Sequence, residues 1–491
     1  MTGKWRIPAV LAATSLLFAL LVAGARPDAG GVAERIRRVE NGLSTGVMLA
    51  GQAPSMTIAD RLAYYKTPGV SVAVINNGAI EWAKGYGVIE AGAAAPVTTE
   101  TRFQAASISK PVAAMAALAM VERGKLALDE DVNKKLVSWK VPEAEATKAE
   151  KVTLRRLVSH GAGLTVHGFR GYAEGEPVPT VVQVLDGQKP ANSAAVRADL
   201  VPGTKWRYSG GGYTVMQLLL TDVAGKPFPD LMEELVLGKI GMRHSSYQQP
   251  LPKEREAVSA VGHRADGQLV KGKRHTYPEM AAAGLWTTPS DLARFAIELQ
   301  QSLQGKSNKV LSQEMVRQML TKQTGEFGLG LQLGGKEKVV TFSHGGANEG
   351  FRCMLFAYLD SGKGAVVMTN GDRGGGLATE ILRAISREYD WPDHRTVEKT
   401  PVKIDLADVG AFAGKYEVSG ATLTVSVENG RLFILVPPIG PQKMEMLPLS
   451  ATRFFVAEDA IEFNFAKNDQ GAVTGMQVFT GAQPMSGKKL P

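Results

Sequence analysis

The feature that most restricts how this chain can fold is a break in pattern near residues 391–401. Before it, helical stretches are mixed with apolar strands, and Ala378 to Tyr389 has the spacing of an amphipathic helix. After Pro401 the pattern shortens. Thr422-Leu423-Thr424-Val425-Ser426-Val427, the turn Glu428-Asn429-Gly430 and Arg431-Leu432-Phe433-Ile434-Leu435-Val436 read as a hairpin. Arg453 to Val456, Ile461 to Phe465 and Val473 to Phe479 read as further strands, which together predict a small antiparallel barrel or sandwich. A chain of 491 residues also exceeds what one core usually holds. The expected division is a signal peptide at 1–25, an N-terminal linker at 26–56, a large domain at 57–392, a linker at 393–402 and a β domain at 403–491.

The first residues have the order of an export signal. Met1 to Arg6 is positive, Ile7 to Val22 is apolar, and Ala23-Gly24-Ala25 supplies small residues for cleavage. A secreted or periplasmic protein follows, with an uncleaved membrane anchor as the alternative. No cysteine follows the leader, which excludes a lipoprotein anchor. Losing Lys4 and Arg6 with the leader lowers the net charge from +8 to +6. No stripe of Lys and Arg with interleaved aromatics is present, so a nucleic-acid partner is not expected. The single cysteine, Cys353, lies in the apolar run 351–358 and reads as a buried small hydrophobe. The seven histidines lack metal-ligand spacing, so neither a metal nor another cofactor is expected.

Two glycine motifs point elsewhere but lack the context their chemistry needs. Gly42-Leu43-Ser44-Thr45-Gly46 has the letters of a nucleophile elbow, yet polar residues stand where a hydrophobic strand must precede it. Gly374-Gly375-Gly376 is followed by no Gly-Lys-Ser/Thr, so it reads as a flexible strand-to-helix turn and not a phosphate loop.

Ser107-Ile108-Ser109-Lys110 is the chemical centre of the sequence. It opens an Ala-rich run to Arg123 that Gly124 terminates, which predicts a long helix. Residues three apart share a helix face, so the Lys110 amine can sit beside the Ser107 hydroxyl. Helix N-termini favour negative charge, which suits a serine alkoxide, and a desolvated lysine can act as its base. Downstream, Tyr208 stands in the loop Pro202 to Gly212, where a phenol near the pair can relay a proton. Val339 to Ala347 is a β-branched run ending in His344-Gly345-Gly346, and such a strand lets a substrate backbone approach closely.

Together these segments resemble the penicillin-recognising serine hydrolases, which include class C β-lactamases, D,D-peptidases and related esterases. That family carries Ser-x-x-Lys, Tyr-x-Asn and Lys/His-x-Gly in this order, matched here by Ser107 and Lys110, Tyr208, and His344 with Gly346. Further matches are the opening hairpin at 68–87, Leu157 to Leu164, and Ala283 to Phe295, so the likeness runs from about Ile58 to about Tyr389. The C-terminal segment resembles the lipocalin-like module of some relatives, for which ligand binding, capping of the site and self-association are alternative roles.

The resemblance implies a mixed α/β fold: one antiparallel sheet, formed by the hairpin and the three apolar runs after Val339, with helices on both faces. A helical subdomain at about 107–279 would carry Ser107, Lys110 and Tyr208, and His344 would end an edge strand. The implied chemistry is acyl transfer on an ester, a D-amino-acid peptide or a β-lactam. Ser107 is the implied nucleophile, Lys110 or Tyr208 its base, and the Ser107 and Ala347 N–H groups the oxyanion hole. The implied partners are small-molecule or peptide substrates, with a homo-oligomer through the C-terminal module as a further possibility. Two positions depart from the family. Gly210 replaces the asparagine, and His344 stands where β-lactamases have lysine. Both shift the expectation from β-lactam hydrolysis toward an esterase or peptidase, with Gly210→Asn expected to raise β-lactam acylation. A penicillin-binding sensor with slow turnover is the alternative. Residues 171–200, punctuated by Pro and Gly, are expected to form a specificity rim.

Overall fold

The computed structural model describes residues 31–491 apart from 337–338, 405, 438, 440–441, 458–460 and 481–483, so the expected leader lies outside the described residues. The first elements are α1 (Val32–Glu40), β1 (Val47–Leu49) and α2 (Ile58–Tyr64), followed by the hairpin β2 (Gly69–Asn76) and β3 (Ala79–Gly87). A short strand β4 (Phe103–Gln104) leads to α3 (Ser109–Glu122). The helical subdomain continues through α4 (Leu154–Val158), α5 (Val181–Asp186), α6 (Gly210–Ala224), α7 (Phe228–Met232), α8 (Gly238–Ile240), α9 (Lys253–Glu256) and α10 (Met280–Ala283). Then come β5 (Trp286–Thr287), α11 (Pro289–Leu303), α12 (Gln313–Met319) and strands β6 (Gln332–Lys336), β7 (Val339–Asn348), β8 (Phe351–Tyr358) and β9 (Gly364–Thr369), closed by α13 (Gly374–Glu388).

Six strands pair antiparallel in the order β3-β2-β9-β8-β7-β6. Central strand β2 is buried on both faces, as strands covered by helices on each side must be. Alternation divides its side chains: Ala73 and Ile75 join the core shared with α3 and α11, while Val70, Val72 and Val74 pack toward α13. Helix α3 is buried from Ser109 to Met120, and its small alanines let α6 and α10 approach closely. A helix buried all round needs no polar face, and this one has none.

The segment read as an N-terminal linker is part of the domain. Helix α1 packs along α13, Arg38 pairs with Glu388 at 2.6 Å, and Val39 and Leu43 are fully buried. Helix α1 is amphipathic, with Ile36 and Val39 on the face packed against the core, a periodic signal that the reading as a linker passed over. Ser44, the serine of the elbow-like motif, is buried with its hydroxyl 2.8 Å from that of Thr396. The expected linker at 393–402 contains β10 (Val397–Lys399), which pairs in parallel with β1. The three glycines at 374–376 form the first turn of α13 and are no flexible turn; a side chain on Gly376 would meet the Tyr65 ring at 2.6 Å.

The C-terminal strands are β11 (Gly414–Val418), β12 (Ala421–Glu428), β13 (Arg431–Leu435), β14 (Lys443–Pro448), β15 (Arg453–Val456), β16 (Ile461–Lys467), β17 (Val473–Phe479) and β18 (Met485–Lys489). They close into an antiparallel barrel. Its interior is filled by Phe412, Tyr416, Ile434, Phe454, Phe463 and Phe465, all nearly inaccessible. A ligand in the lumen would have to displace these side chains. Lys399 of β10 pairs with Glu462 of β16, and the Val402 N–H donates to the Pro448 carbonyl, which ties the barrel to the large domain.

Candidate active site

Ser107 sits in a tight 3-10 turn, Ala106–Ile108, two residues ahead of the start of α3 and not in the helix itself. Ala106 has φ of +50°, a left-handed conformation costly for a residue with a Cβ, so this turn holds strain next to the serine. The Ser109 hydroxyl donates to the Ala106 carbonyl and accepts from the Leu285 N–H, locking the turn. One turn on, Lys110 is 2% exposed. Its Nζ donates to Ser107 Oγ at 2.9 Å and to the Ala282 carbonyl of α10 at 2.8 Å. The i,i+3 spacing thus produces the contact expected from sequence, and α10 supplies an acceptor that sequence gave no sign of.

Tyr208 immediately precedes Ser209, the N-cap of α6, whose hydroxyl accepts from the Gly212 N–H at 2.9 Å. The cap fixes where the chain leaves the helix and so fixes Tyr208. Lys110 Nζ lies 5.0 Å from the centre of the Tyr208 ring. On its other sides the ring meets His160 at 4.2 Å and His167 at 4.8 Å between centroids. His160 accepts from the Ser209 N–H through Nδ1 and is 1% exposed. Burial, reinforced by the charge of Lys110, pushes its imidazolium pKa well down, so it packs as a neutral ring.

His344 lies within β7, which is not an edge strand: β6 covers its outer side as far as Ser343. Nδ1 donates to the Gly345 carbonyl at 2.7 Å in the tautomer this contact requires. Burial, with the nearby charge of Lys110, pushes the His344 pKa down to about 3. His344 therefore presents no cation to a substrate carboxylate near neutral pH. Gly346 is where β7 meets the serine turn. A Cβ there would collide with the Ala105 carbonyl oxygen, so only glycine lets the strand reach Ser107. Gly345 has open space by comparison, its Cβ position 3.9 Å from Met354, and Ala347 pairs with Arg352 in the ladder. Asn348 anchors this end of β7, donating to Gln104 at 2.9 Å and to the Ala283 carbonyl at 3.1 Å.

These groups line one cavity of about 670 Å³. Ser107, Lys110, Tyr208, His344, Gly345, Gly346 and Ala347 all reach it, with Phe169, Trp206 and Phe327 as aromatic wall. Trp206 and Phe327 stack at 5.4 Å. Gly210 is not among the lining residues. It is buried under the 167–169 segment, and a Cβ there would stand 3.0 Å from the His167 carbonyl oxygen and 3.1 Å from Phe169. Gly210→Asn therefore has no room for its side chain without moving that segment, and the gain in β-lactam acylation expected from sequence loses its basis. The expected rim at 171–200 is also displaced: α5 packs against α6, and the cavity wall comes from His167 to Phe169, just before it. His160 had a signal in the Leu157 to Leu164 match. Phe169, Trp206 and Phe327 had none, being isolated aromatics far apart in sequence.

Residues 56–388 match the family described as Beta-lactamase. The chain belongs to the beta-lactamase family. Residues 398–489 match a family described as a domain of unknown function, DUF3471. Penicillin-binding protein 4* of Bacillus subtilis is 24% identical over 425 residues, covering 82% of this chain and 91% of that protein. Esterase EstB of Burkholderia gladioli is 28% identical over 202 residues, 39% of this chain and 49% of the esterase. Among solved structures, the octameric penicillin-binding protein homologue from Pyrococcus abyssi superposes with a TM-score of 0.60 at 20% identity, over 88% of this chain and 98% of that one. This member of the beta-lactamase family is therefore a relative of serine hydrolases and has their mixed α/β fold, followed in this chain by a C-terminal barrel. Among the described residues no group of three His, Cys, Asp or Glu could hold a metal ion, and no helix is long and apolar enough to cross a membrane.

Proposed function

We propose that this chain is a secreted serine hydrolase that is acylated on Ser107 and releases the acyl group to water. The observation that carries the reading is the 2.9 Å hydrogen bond from Lys110 Nζ to Ser107 Oγ in the floor of the cavity. In this reading Ser107 Oγ attacks a carbonyl carbon as its proton passes to the Lys110–Tyr208 pair. The N–H groups of Ser107 and Ala347 hold the oxyanion, and losing one such donor costs about 10²–10³ in rate. The proton then goes to the leaving oxygen or nitrogen, and a water deprotonated by the same pair attacks the acyl-enzyme.

Ester and amide substrates fit this chemistry. The neutral state of His344 favours a substrate without a carboxylate at that position, which supports an ester over a β-lactam. A second reading, acylation by penicillin without efficient release, draws support from the 82% coverage by a penicillin-binding relative. The N-terminal leader is the basis for secretion, and the octameric neighbour supports self-association as a possibility to test. Intact-mass analysis after incubation with phenyl esters and with penicillin separates the readings. Ester turnover that disappears in Ser107→Ala supports the hydrolase, whereas a stable penicillin adduct without ester turnover supports the binder. Ester turnover that survives Ser107→Ala removes Ser107 as the nucleophile.

A further inference from the structure

The start of α6 and the 165–169 segment are built as one unit against the cavity. The Gly210 N–H donates to the His167 carbonyl and the Gly211 N–H to the Val166 carbonyl, each at 3.0 Å. The Ser209 hydroxyl donates to the Thr165 carbonyl at 2.8 Å. Neither glycine leaves room for a side chain: a Cβ on Gly211 would stand 2.8 Å from the Thr165 oxygen and from a Val196 methyl. Val166 has φ of +64°, an outlier for a β-branched residue, held by the clamp on either side of it. Backbone strain held in place beside a cavity marks a segment whose position matters. Here it delivers Phe169, partly buried against the core, over Gly210 and into the wall beside Tyr208.

The consequence is chemical. On one side of the Ser107 cavity the wall is made of the His167, Phe169, Trp206, Tyr208 and Phe327 rings and position 210 contributes no polar side chain, while the polar Gln332, Asn348 and Arg352 come from strands β6, β7 and β8. An acyl group with an acylamino substituent brings one N–H and one C=O that lose their water on entering. Against aromatic faces they find no full replacement, and unpaired buried amide groups are penalised. A plain hydrocarbon acyl chain has no such requirement.

We propose that Phe169 sets the acyl selectivity of this site, favouring an unsubstituted apolar acyl group over one carrying an acylamino group on its α-carbon. The inference rests on the reading of Ser107 as the acylated residue. The test compares kcat/KM for phenyl propionate with those for the phenyl esters of N-acetyl-D-alanine and N-acetyl-L-alanine. These share the leaving group and the three-carbon acyl skeleton. The wild type is expected to favour propionate at least tenfold over both. Phe169→Ala is expected to lower that ratio at least fivefold and Phe169→Leu to hold it within twofold. Should Phe169→Ala fail to fold, Phe169→Gln places an amide on the same wall and is expected to move the ratio the same way. A wild type that prefers either N-acetylalanine ester, or a ratio unmoved in Phe169→Ala (or in Phe169→Gln where Phe169→Ala does not fold), overturns the selectivity. Ser107→Ala is assayed alongside. Turnover surviving there, or wild-type turnover of none of the esters, overturns the parent reading, while a dead Ser107→Ala with an unmoved ratio overturns the selectivity alone.

Discussion

The buried His344 should make the large domain lose stability in mild acid, by an amount its surroundings set. In the unfolded chain a histidine titrates near 6.5, whereas burial and the nearby charge of Lys110 hold His344 down to about 3 in the fold. The folded state therefore binds fewer protons than the unfolded state between these values. The stability linked to this group is fully present above pH 6.5 and is lost progressively as the pH falls toward 3. Between pH 7 and pH 5 the loss is about 2 kcal/mol, from linkage applied to those two pKa values. His344→Gln keeps a neutral side chain of similar reach and removes the titration. Its own pH-independent cost, including the bond to the Gly345 carbonyl, cancels when the change from pH 7 to pH 5 is compared between variant and wild type. Urea unfolding followed by tryptophan fluorescence is the suitable assay, because all six tryptophans precede residue 392 and none lies in the barrel. The variant should lose about 2 kcal/mol less than the wild type over this interval. An identical pH dependence in the two proteins would refute the assignment of His344 as a neutral, buried ring.

Glu279 is fully buried with neither carboxylate oxygen hydrogen-bonded, and burial pushes its pKa up to about 8. Its stabilising protonated state is present below pH 4.5 and lost as the pH rises through 8. Glu279→Gln should therefore gain roughly 3 kcal/mol on the wild type between pH 4 and pH 7, and the same change in urea-unfolding free energy for both proteins over this interval would contradict this. Lys110→Met should retain the far-UV circular dichroism of the wild type while lowering ester turnover by about 10²–10⁴; activity within tenfold would remove Lys110 from proton transfer. Arg61 and Glu380 form a buried pair with contacts of 2.6 and 2.7 Å. Arg61→Met alone should cost about 3–5 kcal/mol, and adding Glu380→Met should recover part of it. Equal losses in the single and double variants, measured by urea unfolding, would show that the stranded carboxylate is not the cause.

What could be read from the sequence divides by how local the causing interaction is. The hairpin of β2 and β3, the α3 run and the β12–β13 hairpin each carry their own periodicity and turn residues, and each formed where expected. Strands β11, β14 and β18 were missed because charged residues, Pro448 and Gly487 break up their apolar pattern; each pairs with its neighbour in sequence, and the β11–β18 pairing closes the barrel. Strands β1 and β10 pair across some 350 residues, with three residues each and no alternating pattern between them. In the site, Ser107 and Lys110 were legible because a three-residue spacing fixes their geometry. β6, which contains Gly334 and Gly335, has too little β character to be recognised alone, so β7 was expected at the sheet edge; it is unpaired on that side only from His344 onward.

The less legible half of the site shares one physical origin. Ala106, His160 and Val166 all adopt left-handed backbone conformations that their side chains disfavour. Each stands next to a functional group: Ala106 before Ser107, His160 against Tyr208, and Val166 ahead of Phe169. Between them, Gly346 and Gly211 mark points where two backbones meet too closely for a Cβ. Sequence rules associate positive φ with glycine and then with Asn, Asp and His, so at Ala106 and Val166 they point away from the turn. The strain is sustained by neighbours distant in the chain: the Leu285 N–H on Ser109, the Ser209 N–H on His160, and the Gly210 and Gly211 N–H groups on the 166–167 carbonyls. An arrangement held this way is sensitive at residues that carry no chemistry. It follows that substitutions at Ala106, Val166 and Gly346 should act on turnover by displacing Ser107 or Phe169, even where the serine, lysine and tyrosine are untouched.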